Sequence, residues 1–486
     1  MPTHNRPAAR KAKSPTQSYL TSRPFSFWLL MLMLMGGSLR LAGAEAGLSS
    51  TIYLPQVLSQ APRTEPIYPN DFFFTERQWT LRQINAPGGW RITTGGEVII
   101  AIIDSGVDYD HPDLAGHFVD PALWRNFVND PTDDRDDDPT DPNDYNGHGT
   151  HVAGIIAAAS NNGQGITGVS WGARILPLKV LRNRDGAGPI SGIAQAIEYA
   201  ADNGAQIINL SLGGRTRVQA LQDAITYARS KGVLVVASAG NYFHEDNAPS
   251  YPGAMDGVVA VAGTTINDSH SCYSNVGDYV DVAAPGGQGG REGGVSCNGT
   301  KVWSTIPLSL SQEGDEHRGY GWKSGTSMAA PHVAGLAALL LSERPGLTHD
   351  ELEAIIESNA DDLGDPGRDS VFGAGRINAR RALEAVWYLN HPVNGQLQAE
   401  AAASYAPATD CDVPHVTNHL LVRASEAGDM AALRTNSLRD ARLLDEIPNW
   451  EVWQVTSGQA CALVQELNST EAGVVAELDL LYSTTD

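Results

Sequence analysis

The chain has 486 residues and is 42% hydrophobic, which is enough for a large buried core and for two or three domains of ordinary size. Its 50 glycines and 27 prolines are scattered without a period, which excludes a collagen-like chain. The formal net charge of -23 argues against nucleic acid as a partner, because phosphate binding needs clustered Lys and Arg. The same charge offers many carboxylates to hard cations.

The N-terminal residues 1–46 have the pattern of an export signal. Residues 1–24 carry basic side chains and no acidic one, and residues 25–39 are uncharged and apolar. Small residues follow in LAGAEAG, where we expect cleavage near Ala44 or Ala46. The apolar run is short for a membrane span, and an uncleaved cell-surface anchor is the alternative. We therefore expect a secreted protein with an N-terminal extension over residues 47–67.

The chain contains four cysteines, namely Cys272, Cys297, Cys411 and Cys461. An even number in an exported chain suggests disulfides, for which three pairings exist. We favour Cys272 with Cys297 and Cys411 with Cys461, because each pair then lies within one predicted domain. Four free, buried thiols are the alternative, and no Cys-x-x-Cys spacing suggests a metal site.

From about residue 97 to residue 261 the sequence alternates between apolar runs and helix-like stretches. The apolar runs are EVIIAIID (97–104), ARILPLKVL (173–181), AQIINLSL (205–212) and GVLVVASAG (232–240). Fully apolar strands separated by helices predict a parallel sheet that is covered by helices on both faces. Functional residues then gather at the carboxyl ends of the strands, where Asp104 and Asn241 lie.

Two further helices are predicted after the alternating region. One runs from about Ser327 to Ser342, with Pro331 in its first turn, where a missing N–H costs little. The other lies within residues 347–363 and begins with a capping box, since Thr348 is followed three residues later by Glu351. The composition after Asn390 predicts a linker over residues 391–412.

Three segments carry polar residues that the fold alone does not require. AIIDSGVDYDHPDL places Asp104 at the end of a buried strand, NGHGTHVAG places His148 before a helix, and SGTSMAAPHVAG places Ser327 at the start of an apolar helix. Hydrolysis through a covalent intermediate needs a nucleophile, a base and a group that orients the base. Ser, His and Asp supply these roles, and Asn241 in SAGN can donate to an oxyanion together with the Ser327 N–H.

Each of these residues has an ordinary structural interpretation when it is taken alone. Asp104 could end a strand, His148 could be a satisfied polar residue, and Ser327 could be a helix cap. The combination of all of them in these contexts favours catalysis. His151 and His332 lie on apolar helix segments, so we interpret them as core histidines.

The motifs resemble those of the subtilase family of serine proteases over about Tyr68 to Ala385. The resemblance implies an α/β, three-layer fold with a mostly parallel seven-stranded sheet, a peptidase domain over residues 68–390, and endopeptidase activity. The order Asp, His, Ser along the chain differs from the chymotrypsin and α/β-hydrolase orders. The family's roles fall on the acid Asp104, the base His148, the nucleophile Ser327 and the oxyanion donor Asn241.

The resemblance also implies a substrate cleft that binds an extended peptide through its main chain, so specificity should be broad. Two backbone segments flank the peptide, and a third walls the pocket for the residue before the scissile bond. These residues are Gly186 and Gly188, then Ser211, Leu212, Gly213 and Gly214, and finally Ser238, Ala239 and Gly240. By the same analogy Ser250 lies near the base of that pocket, where it leaves room for a large apolar side chain, and Tyr242 lies at its rim.

A structural calcium site is implied by three separated segments that resemble the family's calcium ligands. The acids are Asp71 in YPNDFFF and Asp113 in HPDL, and the loop 159–166 adds the Asn162 side chain and the carbonyls of Ala159, Gln164 and Ile166. The alternative for Asp113 is a turn cap after Pro112. The acid-rich segment 126–147 resembles a second calcium loop only partly, and a solvated loop is its alternative.

Residues 413–486 are predicted to form a small α+β domain with a β-α-β-β-α-β order, as in a ferredoxin-like fold. The predicted strands are 419–424, 442–447, 451–456 and 476–483, and the predicted helices are 429–438 and 459–467. Subtilases usually carry a pro-domain of this fold before the peptidase domain. Cleavage near Ala46 would leave too few residues there for a domain. Residues 413–486 can therefore be interpreted either as a displaced pro-domain or as an accessory domain of the same fold.

The leading hypothesis is a secreted, monomeric serine endopeptidase that acts on protein or peptide substrates and has no membrane contact after signal cleavage. A binding or inhibitory pseudoenzyme on the same fold is the main alternative. The intact Asp, His, Ser and Asn set favours the enzyme. A cell-surface structural protein is a weaker alternative.

Overall fold

The computed structural model describes residues 65–128, 133–136, 138–289, 291–292, 295–312 and 317–391, and the backbone of four C-terminal strands. Residues 1–64, Cys411, Cys461 and the predicted linker from residue 392 onward lie outside the described residues. The export signal, the extension and the second disulfide therefore stay predictions. Within the described residues there is no helix that is both long and apolar enough to cross a membrane.

The secondary structure begins with three short helices and then alternates between strands and longer helices. The helices are α1 (Phe74–Arg77), α2 (Trp79–Gln83), α3 (Ala86–Trp90), α4 (His148–Ala157), α5 (Ile190–Asp202), α6 (Gln219–Ser230), α7 (Thr326–Glu343), α8 (His349–Ser358) and α9 (Ala379–Asn390). The strands are β1 (Ile99–Asp104), β2 (Arg125–Asn126), β3 (Arg174–Lys179), β4 (Ile207–Leu210), β5 (Leu234–Ser238), β6 (Val259–Thr264), β7 (Val282–Pro285), β8 (Arg291–Glu292), β9 (Val295–Ser296), β10 (Val302–Thr305), β11 (Tyr320–Lys323), β12 (His415–Ala424), β13 (Arg442–Ile447), β14 (Trp450–Gln454) and β15 (Val474–Leu480).

The main sheet of the described residues has seven strands in the order β2-β3-β1-β4-β5-β6-β7, and every neighbouring pair is parallel. The predicted parallel sheet is therefore confirmed. The chain leaves β1 toward β3 on one side and later adds β4 on the other, so the strand order changes direction at β1. Clefts form at such a point, beyond the carboxyl ends of the strands. Asp104 is the last residue of β1.

Helices cover both faces of the sheet because the strand residues alternate between two apolar layers. Ile100 and Ile102 pack in a core with α4, α7 and α9, whereas Ala101 and Ile103 pack in a core with α5 and α6. All four side chains are completely buried. This two-sided burial is why the strands are apolar throughout rather than alternating with polar residues.

Helix α7 runs through the interior, and 15 of its 18 residues are buried. It begins at Thr326, so Pro331 is its sixth residue and lies in the second turn. The prediction that Pro331 lies in the first turn was wrong. An N–H at this position would have bonded to the Ser327 carbonyl, and the Ser211 hydroxyl donates to that oxygen instead, at 2.8 Å. A side chain from another element thus replaces the lost bond.

Helix α8 has the predicted capping box. The Thr348 hydroxyl accepts from the Glu351 N–H at 3.2 Å, and the Glu351 carboxylate accepts from the Thr348 N–H at 2.9 Å. The helix ends at Ser358, earlier than residue 363, because Asp361 instead exchanges backbone hydrogen bonds with Arg376.

A disulfide joins Cys272 to Cys297, with 6.0 Å between their Cα atoms. This is the pairing favoured from the sequence.

The four C-terminal strands form a second sheet in the order β13-β14-β12-β15, and neighbouring strands are antiparallel. It follows that β12 and β13 run parallel with β14 between them, and that β14 and β15 run parallel with β12 between them. Two interleaved βαβ units produce this arrangement. The predicted helices 429–438 and 459–467 lie outside the described residues, so the ferredoxin-like fold of this region stays a prediction.

Candidate active site

The predicted acid and base lie against each other at the carboxyl end of β1. His148 Nδ1 is 2.8 Å from Asp104 Oδ1. Asp104 is completely buried, whereas the His148 side chain keeps 25% of its surface exposed. The imidazole therefore has one nitrogen held by the carboxylate inside the protein and can present Nε2 to the cleft.

The charge of Asp104 sets the basicity of this imidazole. Burial lowers the pKa of His148, and the nearby Lys323 ammonium lowers it further. The charge and the hydrogen bond of Asp104 more than offset both effects, so the pKa of His148 lies above its ordinary value. A base with a raised pKa accepts a proton more readily, at the cost of being protonated over a wider acidic range.

Two residues that the sequence analysis missed hold this pair in place. The Ser105 N–H donates to Asp104 Oδ1 at 2.7 Å, and the Ser105 hydroxyl donates to Asp144 at 3.0 Å. The buried Asp144 carboxylate also accepts from the Gly147 and Thr150 N–H groups, so it caps the helix that begins with His148. An acid four residues before a helix start in DYNGHGTH is the signal that could have identified Asp144.

Ser327 is the second residue of α7 and is only partly buried. Its hydroxyl donates to the Ser211 carbonyl at 3.2 Å. The preceding Gly325 has a φ of 148°, which favours glycine. A Cβ at Gly325 would stand 3.5 Å from Asn241 Nδ2 and 3.7 Å from the Ser327 nitrogen, so both donors face one small space beside the hydroxyl. A developing oxyanion needs such a space.

The orientation of the Asn241 amide is set by Thr326. Asn241 Oδ1 accepts from the Thr326 N–H at 3.0 Å and from the Thr326 hydroxyl at 2.9 Å. With its oxygen engaged twice, the amide presents Nδ2 as the free donor. The structure thus brings together the predicted acid and base on one side, and the predicted nucleophile and amide donor on the other, around the same end of the sheet.

The sequence profile described as "Subtilase family" matches residues 95–375, more than half of the chain. The chain belongs to the subtilase family. It is 42% identical over 316 residues to thermitase of Thermoactinomyces vulgaris, covering 65% of this chain and 99% of thermitase. It is 36% identical over 310 residues to subtilisin NAT of Bacillus subtilis subsp. natto, covering 63% and 70% of the two chains.

Solved structures agree with this assignment. A protease from Pseudoalteromonas arctica PAMC 21717 superposes with a TM-score of 0.57 at 33% identity, over 66% of this chain and all of that one. A protein described as a lanthipeptide protease superposes with a TM-score of 0.55 at 29% identity, over 66% of this chain and 98% of the other. The chain is therefore a subtilase with the subtilisin-like α/β fold and is a serine-type peptidase.

The subtilase cleft opens beside His148 and has a volume of about 490 Å³. The predicted glycines Gly186 and Gly188 and the predicted segment Ser211 to Gly214 all line it, and they follow β3 and β4, the strands on either side of β1. Ile190, Ile193 and Leu221 add apolar surface. Two of the segments that flank a substrate in the prediction therefore line one cleft.

The third predicted substrate segment, which walls the pocket in the prediction, is more buried than the other two. Ser238, Ala239 and Gly240 are buried at the end of β5, and the Ser238 hydroxyl reaches the Leu212 carbonyl at 3.4 Å. The buried Ser250 packs between two glycines, because a Cβ at Gly213 would meet its Oγ at 2.3 Å and a Cβ at Gly240 would meet its Cβ at 2.6 Å. Glycine at these positions is therefore required for Ser250 to approach.

Arg215 is a cleft residue that the sequence analysis missed. Its guanidinium lies 4.3 Å from the ring centroid of Tyr242, the predicted rim residue, and pairs with Asp246 at 2.7 Å and with Glu245. It follows the segment SLGG directly, so it connects one wall of the cleft to the loop after Asn241. An arginine next to a substrate segment could have been singled out, but its partners lie some thirty residues away.

The two acids among the predicted calcium ligands both contact the loop 159–166. Asp71 and Asp113 are almost completely buried. Asp71 accepts from the Asn161 and Asn162 N–H groups, and Asp113 accepts from the Ile166 N–H at 2.8 Å. Burial raises the pKa of Asp71 above its ordinary value and raises that of Asp113 to about 6. Two neighbouring acids with raised pKa values fit a site for a hard cation.

The loop residues of this site are arranged around Asp113. The Ala159 N–H donates to the Asp113 carbonyl at 2.7 Å, and Asn162 Nδ2 donates to the Asp113 carboxylate at 3.2 Å. The Asn162 oxygen instead accepts from the Gln164 N–H at 2.7 Å. Asn162 would offer its oxygen to a cation beside the two acids only with its amide turned so that the oxygen faces them.

The acid-rich segment 126–147 is only partly solvated in its described residues. Asp133 pairs with Arg135 at the surface, but Asp136 and Asp144 are buried and hydrogen-bonded within the protein.

His151 and His332 are both buried, as the interpretation of them as core histidines predicted. Burial lowers the pKa of both histidines, so they stay neutral near neutral pH.

Proposed function

We propose that this subtilase is a secreted serine endopeptidase of broad specificity, with Ser327 as nucleophile, His148 as general base and acid, and Asp104 as the group that orients His148. The observation that carries the proposal is the 2.8 Å contact of His148 Nδ1 with buried Asp104. His148 lines the same cleft as Ser211, whose carbonyl accepts from the Ser327 hydroxyl at 3.2 Å. Membership of the family supports the reaction class. The intact residue set argues against a pseudoenzyme.

In the acylation step, His148 Nε2 takes the Ser327 Oγ proton while Oγ attacks the peptide carbonyl carbon. The carbonyl π electrons move to its oxygen, which becomes an oxyanion. Asn241 Nδ2 and the Ser327 N–H donate to that oxygen, and the N-terminus of α7 favours its charge. When the tetrahedral intermediate collapses, the C–N bond breaks and His148 gives its proton to the leaving amine.

Deacylation repeats these roles with water as nucleophile. His148 takes a water proton while the water oxygen attacks the acyl carbon, and it returns the proton to Ser327 Oγ as the ester bond breaks. Asp104 remains ionised and stabilises the imidazolium that forms in both halves. Its burial keeps the carboxylate away from water, which strengthens this interaction.

Broad specificity is supported by the cleft, which offers backbone and small residues from Gly186 to Gly188 and from Ser211 to Gly214. Secretion is supported by the N-terminal sequence pattern. A structural calcium held by Asp71, Asp113 and the loop 159–166 is supported by the two buried acids. The calcium would hold the N-terminal segment against the core and takes no part in the reaction.

The test is Ser327→Ala in the full-length protein. Peptide hydrolysis should fall on the order of a million-fold, which is the loss that removal of this residue type causes in subtilisin. The variant should keep the melting temperature of the native protein, because the substitution removes one partly exposed oxygen. A variant that still hydrolyses a peptide at the native rate would refute the assignment. Ser324→Ala, three residues earlier in the same segment, is the matched control.

A role for residues 413–486 as a pro-domain-like unit is a second proposal. The strand order β13-β14-β12-β15 supports the architecture that both readings of this region share, because it is the order that two interleaved βαβ units give. Such a unit would assist folding of the peptidase domain or block its cleft. An accessory domain of the same architecture is the competing proposal, since this fold serves many functions.

A further inference from the structure

Lys179 is a charged side chain at the carboxyl end of β3, where it pairs in register with Asp104 of β1. Its side chain is completely buried. An ammonium group inside a protein is strongly destabilising unless it is paired and hydrogen-bonded. A lysine that is kept at this position, beside the catalytic acid, therefore needs an explanation.

The ammonium group uses all its donors within the protein. Lys179 Nζ donates to the Ser105 carbonyl at 2.6 Å, to Asn183 Oδ1 at 2.7 Å and to the Leu181 carbonyl at 3.1 Å. It also lies 3.4 Å from Asp136 Oδ1, whose side chain is equally buried. Burial lowers the pKa of Lys179, and the surrounding carboxylates act against this effect.

Asp136 comes from the acid-rich segment 126–147, but it faces the interior. Its carboxylate accepts from Asn183 Nδ2 at 2.8 Å and from the Asn183 N–H at 3.2 Å. Asn183 therefore contacts both members of the ion pair. Asp136 thus has a fixed ammonium partner inside the protein, and the Lys179–Asp136 pair attaches the acidic segment to the catalytic end of the sheet.

The contact with Ser105 connects Lys179 to the proposed catalytic pair. The Ser105 N–H donates to Asp104 Oδ1, the same oxygen that contacts His148. The Ser105 hydroxyl accepts from the Gly149 N–H at 2.9 Å, in the first turn of the helix that begins with His148. Ser105 is thus held at its carbonyl by Lys179 and, in turn, holds both the acid and the start of the histidine helix.

We propose that Lys179 is a positioning residue for catalysis: its ammonium, paired with Asp136, fixes Ser105 and thereby holds the Asp104 carboxylate against His148. The inference rests on the proposed roles of Asp104 and His148. Loss of this contact removes the bond that fixes the Ser105 carbonyl, while the Ser105 hydroxyl stays bonded to Asp144 and to the Gly149 N–H. Ser105 is then less restrained, and so is the N–H that it donates to Asp104 Oδ1. A displacement of about 1 Å in a catalytic group can cost on the order of 100-fold in rate.

The test compares two variants of the full-length protein. Asp136→Asn removes the ion pair but leaves Lys179 bonded to Ser105. Lys179→Met combined with Asp136→Asn removes the Ser105 contact without leaving a buried charge, which Lys179→Met alone would do at the risk of misfolding. The control is Arg376→Met with Asp361→Asn, a partly buried Arg–Asp pair from another part of the domain. Active sites are counted with a covalent serine-protease inhibitor.

For the double variant at 179 and 136, we expect kcat per active site to fall by about tenfold or more with KM nearly unchanged. The low-field proton resonance of the His148 Nδ1–H should also shift. The control pair should lower the melting temperature and leave kcat nearly unchanged. Asp136→Asn keeps the Lys179 contact with Ser105, so it should lower kcat less than the double variant does. A double variant with native kcat and an unshifted resonance overturns the inference, as does an equal kcat loss in the control. If the native chain itself hydrolyses no peptide, the proposed function fails instead.

Discussion

His148 Nδ1 lies 2.8 Å from Asp104 Oδ1, while Asp104 Oδ2 is buried and has no hydrogen-bond partner in the described part of the chain. The imidazole and the Ser105 N–H thus both contact this carboxylate at Oδ1. This arrangement favours the imidazolium form of His148, which arises during each half of the proposed reaction.

The pH profile should report this interaction. Only the neutral imidazole can act as base, so kcat/KM should rise with pH through the pKa of His148, at a midpoint above the ordinary 6.5. The Lys323 ammonium lowers this pKa. Lys323→Gln should therefore move the midpoint to higher pH, and Lys231→Gln, a surface lysine paired with Asp202, should not. A midpoint that moves down in Lys323→Gln would contradict the electrostatic argument.

The proposed oxyanion donor should affect turnover rather than binding. Asn241→Ala should lower kcat on the order of 100- to 1000-fold with little change in KM, because the hydrogen bond forms only as charge develops on the carbonyl oxygen. Steady-state kinetics on a peptide substrate measure both constants. Asn203→Ala, at the end of α5, is the control and should behave as the native protein. A threefold or smaller loss in Asn241→Ala would remove this residue from the mechanism.

Calcium removal should destabilise the peptidase domain in a pH-dependent way. With chelator present, Asp113 has a folded-state pKa of about 6, above its ordinary value, so the folded state binds more protons than the unfolded state between about pH 4 and 6. Stability without calcium should thus fall as pH rises through that window. Calcium binds the ionised acids, so its stabilising effect should grow over the same window and reach about 2.7 kcal/mol at a hundredfold excess over Kd.

Melting temperatures with calcium and with excess chelator, at pH 5 and pH 7, test this prediction. Asp71→Asn should reduce the calcium effect, whereas Asp278→Asn, an exposed acid, should leave it unchanged. Identical melting temperatures with calcium and with chelator at pH 7 would exclude the site.

The role of the C-terminal region can be tested by producing it as a fragment separate from the peptidase domain. If residues 413–486 act like a pro-domain, a chain that ends at about Asn390 should refold poorly. Added fragment 411–486 should then restore refolding or inhibit the folded enzyme, as measured by active-site titration and peptide hydrolysis. Normal refolding of the short chain, with no effect of the fragment, would favour the accessory-domain proposal.

The sequence alone was sufficient for the fold class because the strands of this protein are buried on both faces. The interiors of runs such as 97–104 and 232–240 are apolar without a break. This pattern predicts a doubly covered strand even when the elements that pack on it are unknown. The capping box of Thr348 and Glu351 is equally local. The same locality explains why the site residues could be named, since each lies in a distinctive run of small and polar residues.

The boundaries that depend on distant contacts were less accurate. Pro331 was expected in the first turn of its helix, yet it lies in the second, where the Ser211 hydroxyl replaces the missing hydrogen bond. No property of the segment SGTSMAAPHVAG shows that Ser211, 116 residues earlier, is available. The end of α8 at Ser358 likewise depends on the pairing of Asp361 with Arg376.

The sequence by itself determined the reaction class, the parallel sheet and the identity of the four candidate catalytic residues. Only the tertiary structure decided how they are held: Ser105 and Asp144 around the acid and the histidine helix, Thr326 on the Asn241 amide, and Lys179 with Asp136 beneath the site. The physical reason is that residue type and local pattern set which chemistry a side chain can perform. Its position and pKa, in contrast, depend on burial and on charges that neighbouring strands bring from far along the chain.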